Sequence, residues 1–282
     1  MASYEKNKQK FKVSKLIIYI ILIILAVIYV APLLWVILAS FKNNTTLMTD
    51  PFGWPNPLNF DNYVTAWVGG GIGGYFLNSV IVVGCTLVIS ILINCMAAYG
   101  MARMKWKLSG AAMVFFLTGM MVPIHATLIP LYTMFSAIGF LNSYLSLIVP
   151  YVVFTFGQSI YIMRGFFGNI PKEMEEAAVI DGCSIWRAFW RIIMPISTAG
   201  IFTIGLFTFN GTWNELLVGL IFTNSKAIRT LPVGLTSFVG QYSTNYTPMF
   251  AAIVIAILPT IIVYCCFSNK IVGGLTAGAV KG

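Results

Sequence analysis

Long apolar runs without charged residues constrain this chain more than any other feature. The run from Leu16 to Ala39 has 24 residues and contains no Asp, Glu, Lys or Arg. A helix needs about 20 apolar residues to cross the hydrocarbon core of a bilayer, because each residue adds about 1.5 Å. Further long apolar runs follow it. We predict six membrane-spanning helices, at roughly 16–39, 77–99, 110–134, 141–163, 196–222 and 248–268.

The composition supports this prediction and excludes an ordinary soluble fold. Only 9% of the 282 residues are charged, whereas a soluble domain carries about 25%. The lysines before Leu16 resemble the start of a secretory signal, but the following run is longer than a signal's apolar region of about 7–15 residues. We therefore expect an all-α membrane protein that retains its first span.

Lysine and arginine are distributed unequally between the two sides of the predicted membrane. Fourteen of the 17 fall in the termini and in the loops after spans two and four, and only Lys42, Lys226 and Arg229 fall on the other side. Basic loops stay on the cytoplasmic side, so both termini are predicted to be cytoplasmic. The net charge of +9 does not indicate nucleic-acid binding, because no soluble domain presents a basic face.

The predicted spans divide the chain into segments. We expect a cytoplasmic tail at 1–15, a first span at 16–39, an external loop at 40–76, a core of five spans at 77–268 and a cytoplasmic tail at 269–282. Proline and glycine residues mark the external loop as irregular.

Two predicted spans contain prolines. Pro123 and Pro130 flank His125, the only histidine, in span three, and Pro150 lies in span four. Proline removes a backbone donor and kinks a helix, which lipid cannot compensate. Each site is either a kink packed against a neighbouring helix or a bend that faces a transport pathway.

The polar loop at 169–195, between spans four and five, has strong helix signals. Pro171 suits a first helical turn, and the acidic residues after it complement the positive end of the helix dipole. Gly182 is a suitable terminator in the left-handed conformation, and Ser184 is a suitable N-cap for a second helix. A short alanine-faced helix, a tight turn and a second amphipathic helix are therefore predicted beneath the membrane.

This loop resembles the EAA motif of ABC importer permeases. The matching pattern is Glu176-Ala177-Ala178, three residues, Gly182, nine residues and then Ile192-Ile193-Met194-Pro195, with Met194 where leucine is more usual. Asp181, Trp213-Asn214-Glu215 and the ending from Gly274 to Gly282 are similar to the carbohydrate-uptake branch. The pattern as a whole most resembles that of the second permease subunit of maltose-type transporters.

The resemblance implies a fold, a role and partners. It implies the type I ABC importer permease fold, in which the EAA segment is a cytoplasmic coupling helix that docks on an ATPase subunit in a bacterial or archaeal cytoplasmic membrane. Partners would be a second permease subunit, two ATPase subunits, an extracytoplasmic solute-binding protein and a carbohydrate. Coupling would fall to a set of five residues, Glu176, Ala177, Ala178, Asp181 and Gly182.

No catalytic or metal site and no bound cofactor is predicted for this chain. It lacks the GxxxxGK[ST] loop that binds nucleotide phosphates, so ATP and Mg²⁺ are expected on the partner ATPase subunits. An intramembrane enzyme using Glu175 and Glu176 is disfavoured, because no histidine accompanies them. A secondary transporter driven by an ion gradient is the alternative function. It predicts coupling carboxylates deep in the bundle, and none is visible in the sequence.

Polar residues near the end of span five are candidates for the substrate pathway. Asn210, Trp213, Asn214 and Glu215 combine amides, a carboxylate and an aromatic ring, which suit a sugar. Ionisable groups inside a span usually face a cavity or a bundle interior. Glu215 nevertheless lies about 28 Å along the predicted span, so an interfacial position is equally consistent with the sequence.

Overall fold

A computed structural model describes the backbone of residues 2–104, 106–240 and 246–279, and the side chains of residues 15–104, 106–240 and 246–267. Predictions that concern the side chains of the tails, 1–14 and 268–282, lie outside the described residues. The described backbone is almost wholly helical. The α-helices are α1 (Ala2–Ser40), α2 (Asn44–Thr49), α3 (Asp61–Val64), α4 (Ile72–Arg103), α5 (Ser109–Met120), α6 (Leu128–Ala137), α7 (Tyr144–Gly168), α8 (Glu173–Ile180), α9 (Ile185–Ala188), α10 (Met194–Ile196), α11 (Thr198–Trp213), α12 (Leu217–Phe222), α13 (Leu231–Leu235) and α14 (Tyr246–Ala279).

Four continuous helical segments are long and apolar enough to cross a membrane. They are Lys15–Ser40, Ile72–Arg103, Tyr144–Gly168 and Tyr246–Phe267. Two bent helix pairs meet the same criterion and raise the number to six if each counts as one span. The all-α membrane fold expected from the apolar runs is confirmed.

The helix of span three is broken at Pro123. α5 ends at Met120, and a 3₁₀ turn at Ile124–Thr127 leads into α6, so that the two parts bend by 87°. Pro130 lies in the first turn of α6, where a missing backbone N–H is tolerated. In span four, by contrast, α7 continues through Pro150.

Spans two and five differ from their predicted bounds. α4 begins at Ile72, five residues before the predicted start, because Gly71 adopts φ +71° and ends the preceding loop. α11 ends at Trp213, so its 16 residues extend about 24 Å. The remainder of the predicted fifth span is a separate short helix, α12. Apolar content alone did not reveal this interruption of the helix between Trp213 and Leu217.

The chain divides into two compact units. The first comprises Met1–Gly70 and Phe238–Ile255. It contains α1, the segment predicted to be external (called the external segment below) with α2 and α3, and the first part of α14. Its external segment is held by buried polar groups: the Asn62 amide donates to the carbonyl oxygens of Ser40 and Lys42, each at 2.7 Å.

The second unit comprises Gly71–Ser237 and Ala256–Gly282. α4 and α7 pack along their length and are joined by polar contacts as well as apolar ones. The Asn94 amide donates to the Thr155 hydroxyl at 2.9 Å, and that hydroxyl lies 3.1 Å from the one of Ser90. A buried cluster that includes Tyr99, Met163, Phe167 and Phe189 fills the end of this unit next to α8.

Candidate functional site: the helical pair at 173–196

α8 is a short, firmly terminated helix. Gly182 has φ +78°, its N–H donates to Val179 at 3.0 Å, and the Cys183 N–H donates to Ala178 at 2.8 Å. These two bonds form a Schellman motif, which satisfies the last carbonyls of the helix. The predicted role of Gly182 as a left-handed terminator is confirmed.

A second helical segment, Ile185–Ile196, leaves this turn at once. Ser184 caps it, because its hydroxyl accepts from the Arg187 N–H at 3.3 Å. The segment includes a π-helical turn at Phe189–Ile193 and bends by 78° into α11. The N-cap prediction is confirmed, and the segment ends at Ile196, one residue after Pro195.

The turn between the two helices is surrounded by exposed apolar side chains. Ile180 is 85% exposed, and Met174, Val179, Ile185 and Trp186 are also exposed. We call these five residues the apolar patch. Such a patch on a polar segment is typical of a protein–protein contact. The predicted coupling residues Glu176, Ala177, Asp181 and Gly182 are exposed beside it, whereas Ala178 is buried.

An ion pair joins α8 to the end of α4. Nε of Arg103 lies 3.2 Å from Oε1 of Glu175, and the Arg103 side chain is only 4% exposed. A second guanidinium nitrogen donates to the carbonyl oxygens of Ile170 at 2.8 Å and Pro171 at 3.4 Å. One buried cation therefore holds the start of α8 and the segment that leads into it.

Aromatic rings make a second connection, from the apolar patch to the spans. Trp186 stacks on Phe189, with centroids 6.0 Å apart. Phe189 in turn contacts Tyr99 of α4 at 4.9 Å and Phe167 of α7 at 6.4 Å. These ring contacts connect the second helical segment to both helices.

The four residues predicted for the substrate pathway have different environments. Trp213 is buried, and its indole N–H donates to the carbonyl of Ala256 at 3.0 Å. The Glu215 carboxylate accepts from the Tyr151 hydroxyl at 2.6 Å and from the backbone N–H groups of Val218 and Gly219. Glu215 therefore caps α12, and this structural role was not visible from the sequence.

The two asparagines of that set are exposed and adjacent. The Asn214 amide donates to the Asn210 side-chain oxygen at 3.1 Å. A cavity of about 580 Å³ lies elsewhere in this unit, between α5 and α7, with Phe116, Gly157 and Gln158 among its lining residues.

Known proteins resemble the chain over almost its whole length. Residues 90–268 match the family described as binding-protein-dependent transport system inner membrane component. This chain belongs to that family. The permease is 34% identical to the diacetylchitobiose uptake system permease protein NgcG of Streptomyces coelicolor, over 93% of this chain and 87% of that protein. It is 31% identical to the trehalose/maltose transport system permease protein MalG of Thermococcus litoralis, over 95% and 98%.

A solved structure shows the same fold. A chain of a bacterial ABC transporter for the import of the acidic polysaccharide alginate superposes with a TM-score of 0.81 at 18% identity, covering 92% of the permease and 97% of that chain. The protein is thus a multi-pass membrane permease of the ABC importer class, as the EAA-like motif predicted.

Sequence reasoning located α8 and its turn but missed other parts of this site. It placed Arg103 only in a basic cytoplasmic loop and gave Ile180 and Trp186 no role. The long separation of Arg103 from Glu175 in sequence leaves no periodic signal. The sequence contained one signal for Ile180. It is a large apolar residue directly before the Asp181-Gly182 terminator, at a helix end where the core needs no apolar side chain.

Proposed function

We infer that this permease forms half of the translocation pathway of an ATP-driven, binding-protein-dependent carbohydrate importer. Membership of a family described as binding-protein-dependent supports the dependence on a binding protein. Both relatives compared above are named for the uptake of sugars, and the solved neighbour imports a polysaccharide. A carbohydrate is accordingly the proposed substrate class.

One observation carries the proposed mechanism. The exposed apolar patch lies on a helix with a fixed end, and the same helical pair contacts α4 and α7 through an ion pair and through aromatic rings. Force applied by a docked partner at the patch therefore reaches the spans. We assign Glu176, Ala177, Ala178, Asp181 and Gly182 to this coupling segment, with Ala178 supporting the helix from its buried side.

The proposed partner at the patch is a cytoplasmic ATPase subunit. The permease would not bind ATP or Mg²⁺; both belong on two ATPase subunits, which close on each other and drive the switch between inward- and outward-facing states. A second permease subunit would complete the pathway. The distribution of Lys and Arg supports an orientation with both termini in the cytoplasm.

Asn210 and Asn214 are the proposed pathway residues of their group. Their amides are exposed and offer donors and acceptors to sugar hydroxyls. Trp213 and Glu215 have a supporting role, because their hydrogen bonds to Ala256 and Tyr151 fix the end of α11. In this proposal, Asn210→Ala raises the sugar concentration needed for half-maximal uptake without changing protein stability. An unchanged uptake curve would remove Asn210 from the pathway.

Reconstitution tests the function. The permease is placed in liposomes with its second permease, the ATPase and a sugar-loaded binding protein, and labelled sugar uptake is measured with ATP or with a non-hydrolysable analogue inside. We expect uptake only with ATP. Uptake that follows an ion gradient and needs no ATPase would favour a secondary transporter instead.

A further inference from the structure

Two large aromatic side chains project from the external segment after α1. Phe52 is 85% exposed and Trp54 is 76% exposed. Both belong to the short segment 50–54, which lies outside the α-helices. Exposed rings of this size represent a substantial unfavourable apolar surface if they face water. A non-aqueous surrounding for these rings would therefore stabilise this conformation.

The backbone on both sides of Phe52 is fixed by hydrogen bonds from elsewhere in the unit. Lys42 is only 3% exposed, and its ammonium group donates to the carbonyl of Asp50 at 2.6 Å. The indole N–H of Trp35 donates to the carbonyl of Pro51 at 2.9 Å. These donors hold the segment against the end of α1, while the rings of Phe52 and Trp54 remain outside the protein.

The Asp50 side chain tightens the same turn. Its Oδ1 accepts from the Gly53 N–H at 2.9 Å, and a Cβ at Gly53 would lie 1.8 Å from its Oδ2. A larger residue between the two aromatic residues would therefore displace the Asp50 carboxylate from this turn. These hydrogen bonds fix the backbone of the turn, which presents Phe52 and Trp54 two residues apart.

Two observations place this turn at the membrane boundary. The apolar run of α1 begins directly after Lys15, and the 20 residues from Lys15 to Trp35 extend about 30 Å, the thickness of the hydrocarbon core. Phe250, whose ring centroid lies 5.3 Å from that of Trp35, is two residues after position 248, where the sequence predicts that the last span begins. Both spans thus place Trp35 close to their outer end.

Phe52 lies at this same level, because its ring centroid is 6.3 Å from that of Trp35. The residues of α1 from Leu16 to Leu34 are exposed on all sides within this chain, so the turn adjoins a helix surface that suits lipid. Aromatic rings are enriched at the boundary between lipid head groups and acyl chains, where an apolar body and a polar indole N–H are both accommodated.

We propose that the turn at 50–54 is an interfacial membrane anchor, in which Phe52 and Trp54 insert between phospholipids at the end of α1. In the orientation inferred above this is the outer leaflet, but the insertion itself depends only on the length of the spans. The anchor fixes the depth of α1 and ties the external segment to the bilayer surface. Its occupant is phospholipid, and not the binding protein or the second permease.

Photo-crosslinking in the assembled transporter tests the occupant. p-Benzoylphenylalanine replaces Phe52 or Trp54 in the full chain, and the transporter is reconstituted with its binding protein in nanodiscs of phosphatidylethanolamine and phosphatidylglycerol. After irradiation, mass spectrometry identifies what is attached to the labelled peptide. The control position is Thr45, an exposed polar residue of α2.

We expect phospholipid adducts at positions 52 and 54 in several-fold higher yield than at 45. Attachment to the binding protein or to the second permease, an absence of adducts at both positions, or equal lipid adducts at all three would overturn the proposal. Adduct formation needs no transport, so a failed uptake assay does not affect the result. If one labelled variant does not assemble, the other aromatic position provides the same comparison with Thr45.

Discussion

The guanidinium of Arg103 lies 3.2 Å from the carboxylate of Glu175 and connects the end of α4 with the first turn of α8. The arginine is nearly buried, and its other donors hold the carbonyls of Ile170 and Pro171. A planar fork with several donors is suited to such a junction, and lysine can replace it only in part. This junction lies between the segment proposed to receive force and the helix proposed to move.

Replacing Arg103 should separate ATP hydrolysis from transport. Arg103→Ala leaves the Glu175 carboxylate and two carbonyls without their donor, a loss of the order of 2 kcal/mol. We expect fewer sugar molecules transported per ATP hydrolysed, with Arg103→Lys giving a smaller decrease. The measurement is the ratio of uptake to phosphate release in proteoliposomes.

Two further variants make this prediction specific. Arg164→Ala removes an exposed arginine near the C-terminal end of α7 and should leave the ratio of uptake to phosphate release unchanged. The charge swap Arg103→Glu with Glu175→Arg should recover part of the loss, because it restores the pair but not the bonds to Ile170 and Pro171. Equal ratios in Arg103→Ala and the native protein would show that the ion pair does not transmit force.

Gly182 can be tested against a glycine of the same geometry at the other side of the membrane. Gly139 has φ +67°, and its N–H and that of Phe140 close the same Schellman pattern after α6. An alanine in this conformation costs about 1–2 kcal/mol. Gly182→Ala and Gly139→Ala should therefore lower stability similarly, but only Gly182→Ala should weaken ATPase binding, measured by co-purification. Equal binding by both variants would exclude a docking role for this turn.

The apolar patch should contribute directly to ATPase affinity. Ile180 is 85% exposed, and burying an isoleucine side chain contributes about 1.5–3 kcal/mol. Ile180→Ser should weaken ATPase binding roughly tenfold or more, without lowering the amount of inserted permease. Met48→Ser removes a side chain that is 62% exposed in the external segment, and its ATPase affinity should match that of the native protein.

Substitution of Glu215 should mainly lower the stability of the permease, because Glu215 caps α12. Glu215→Ala removes the acceptor for Tyr151 and for the first N–H groups of α12, and loss of a cap alone costs about 1 kcal/mol. We expect a lower thermal unfolding temperature in detergent, a smaller decrease for Glu215→Gln and almost none for Asn214→Ala. A Glu215→Gln variant of native stability with impaired uptake would instead support a pathway role.

Gly157 should be irreplaceable, because α5 and α7 approach closely at this residue. A Cβ there would lie 2.6 Å from the carbonyl oxygen of Phe116 and 2.1 Å from a side-chain carbon of Met120. Overpacking of this kind costs about 1–3 kcal/mol. Gly157→Ala should lower the unfolding temperature, while Gly165→Ala on the same helix, with nothing within 4 Å of the added carbon, should not. Equal melting of both variants would contradict the close approach.

Local features of the sequence were sufficient for much of the fold. The apolar runs predicted a helical membrane protein, since span length depends only on rise per residue and bilayer thickness. Gly182 and Ser184 were recognised because a helix terminator and an N-cap act within a few residues of themselves. The end of span five was missed at Asn214, because apolar content continues into α12 although the helix is interrupted between Trp213 and Leu217.

The sequence by itself determined the membrane-spanning helices, the family and the location of the helical pair at 173–196, because each depends on composition or on spacing along one segment. Only the tertiary structure decided that Arg103 meets Glu175, that Phe189 contacts both Tyr99 and Phe167, and that Glu215 accepts from Tyr151. These contacts join residues distant in sequence, and their partners are fixed by the packing of α4, α7 and α11, which no periodic pattern records.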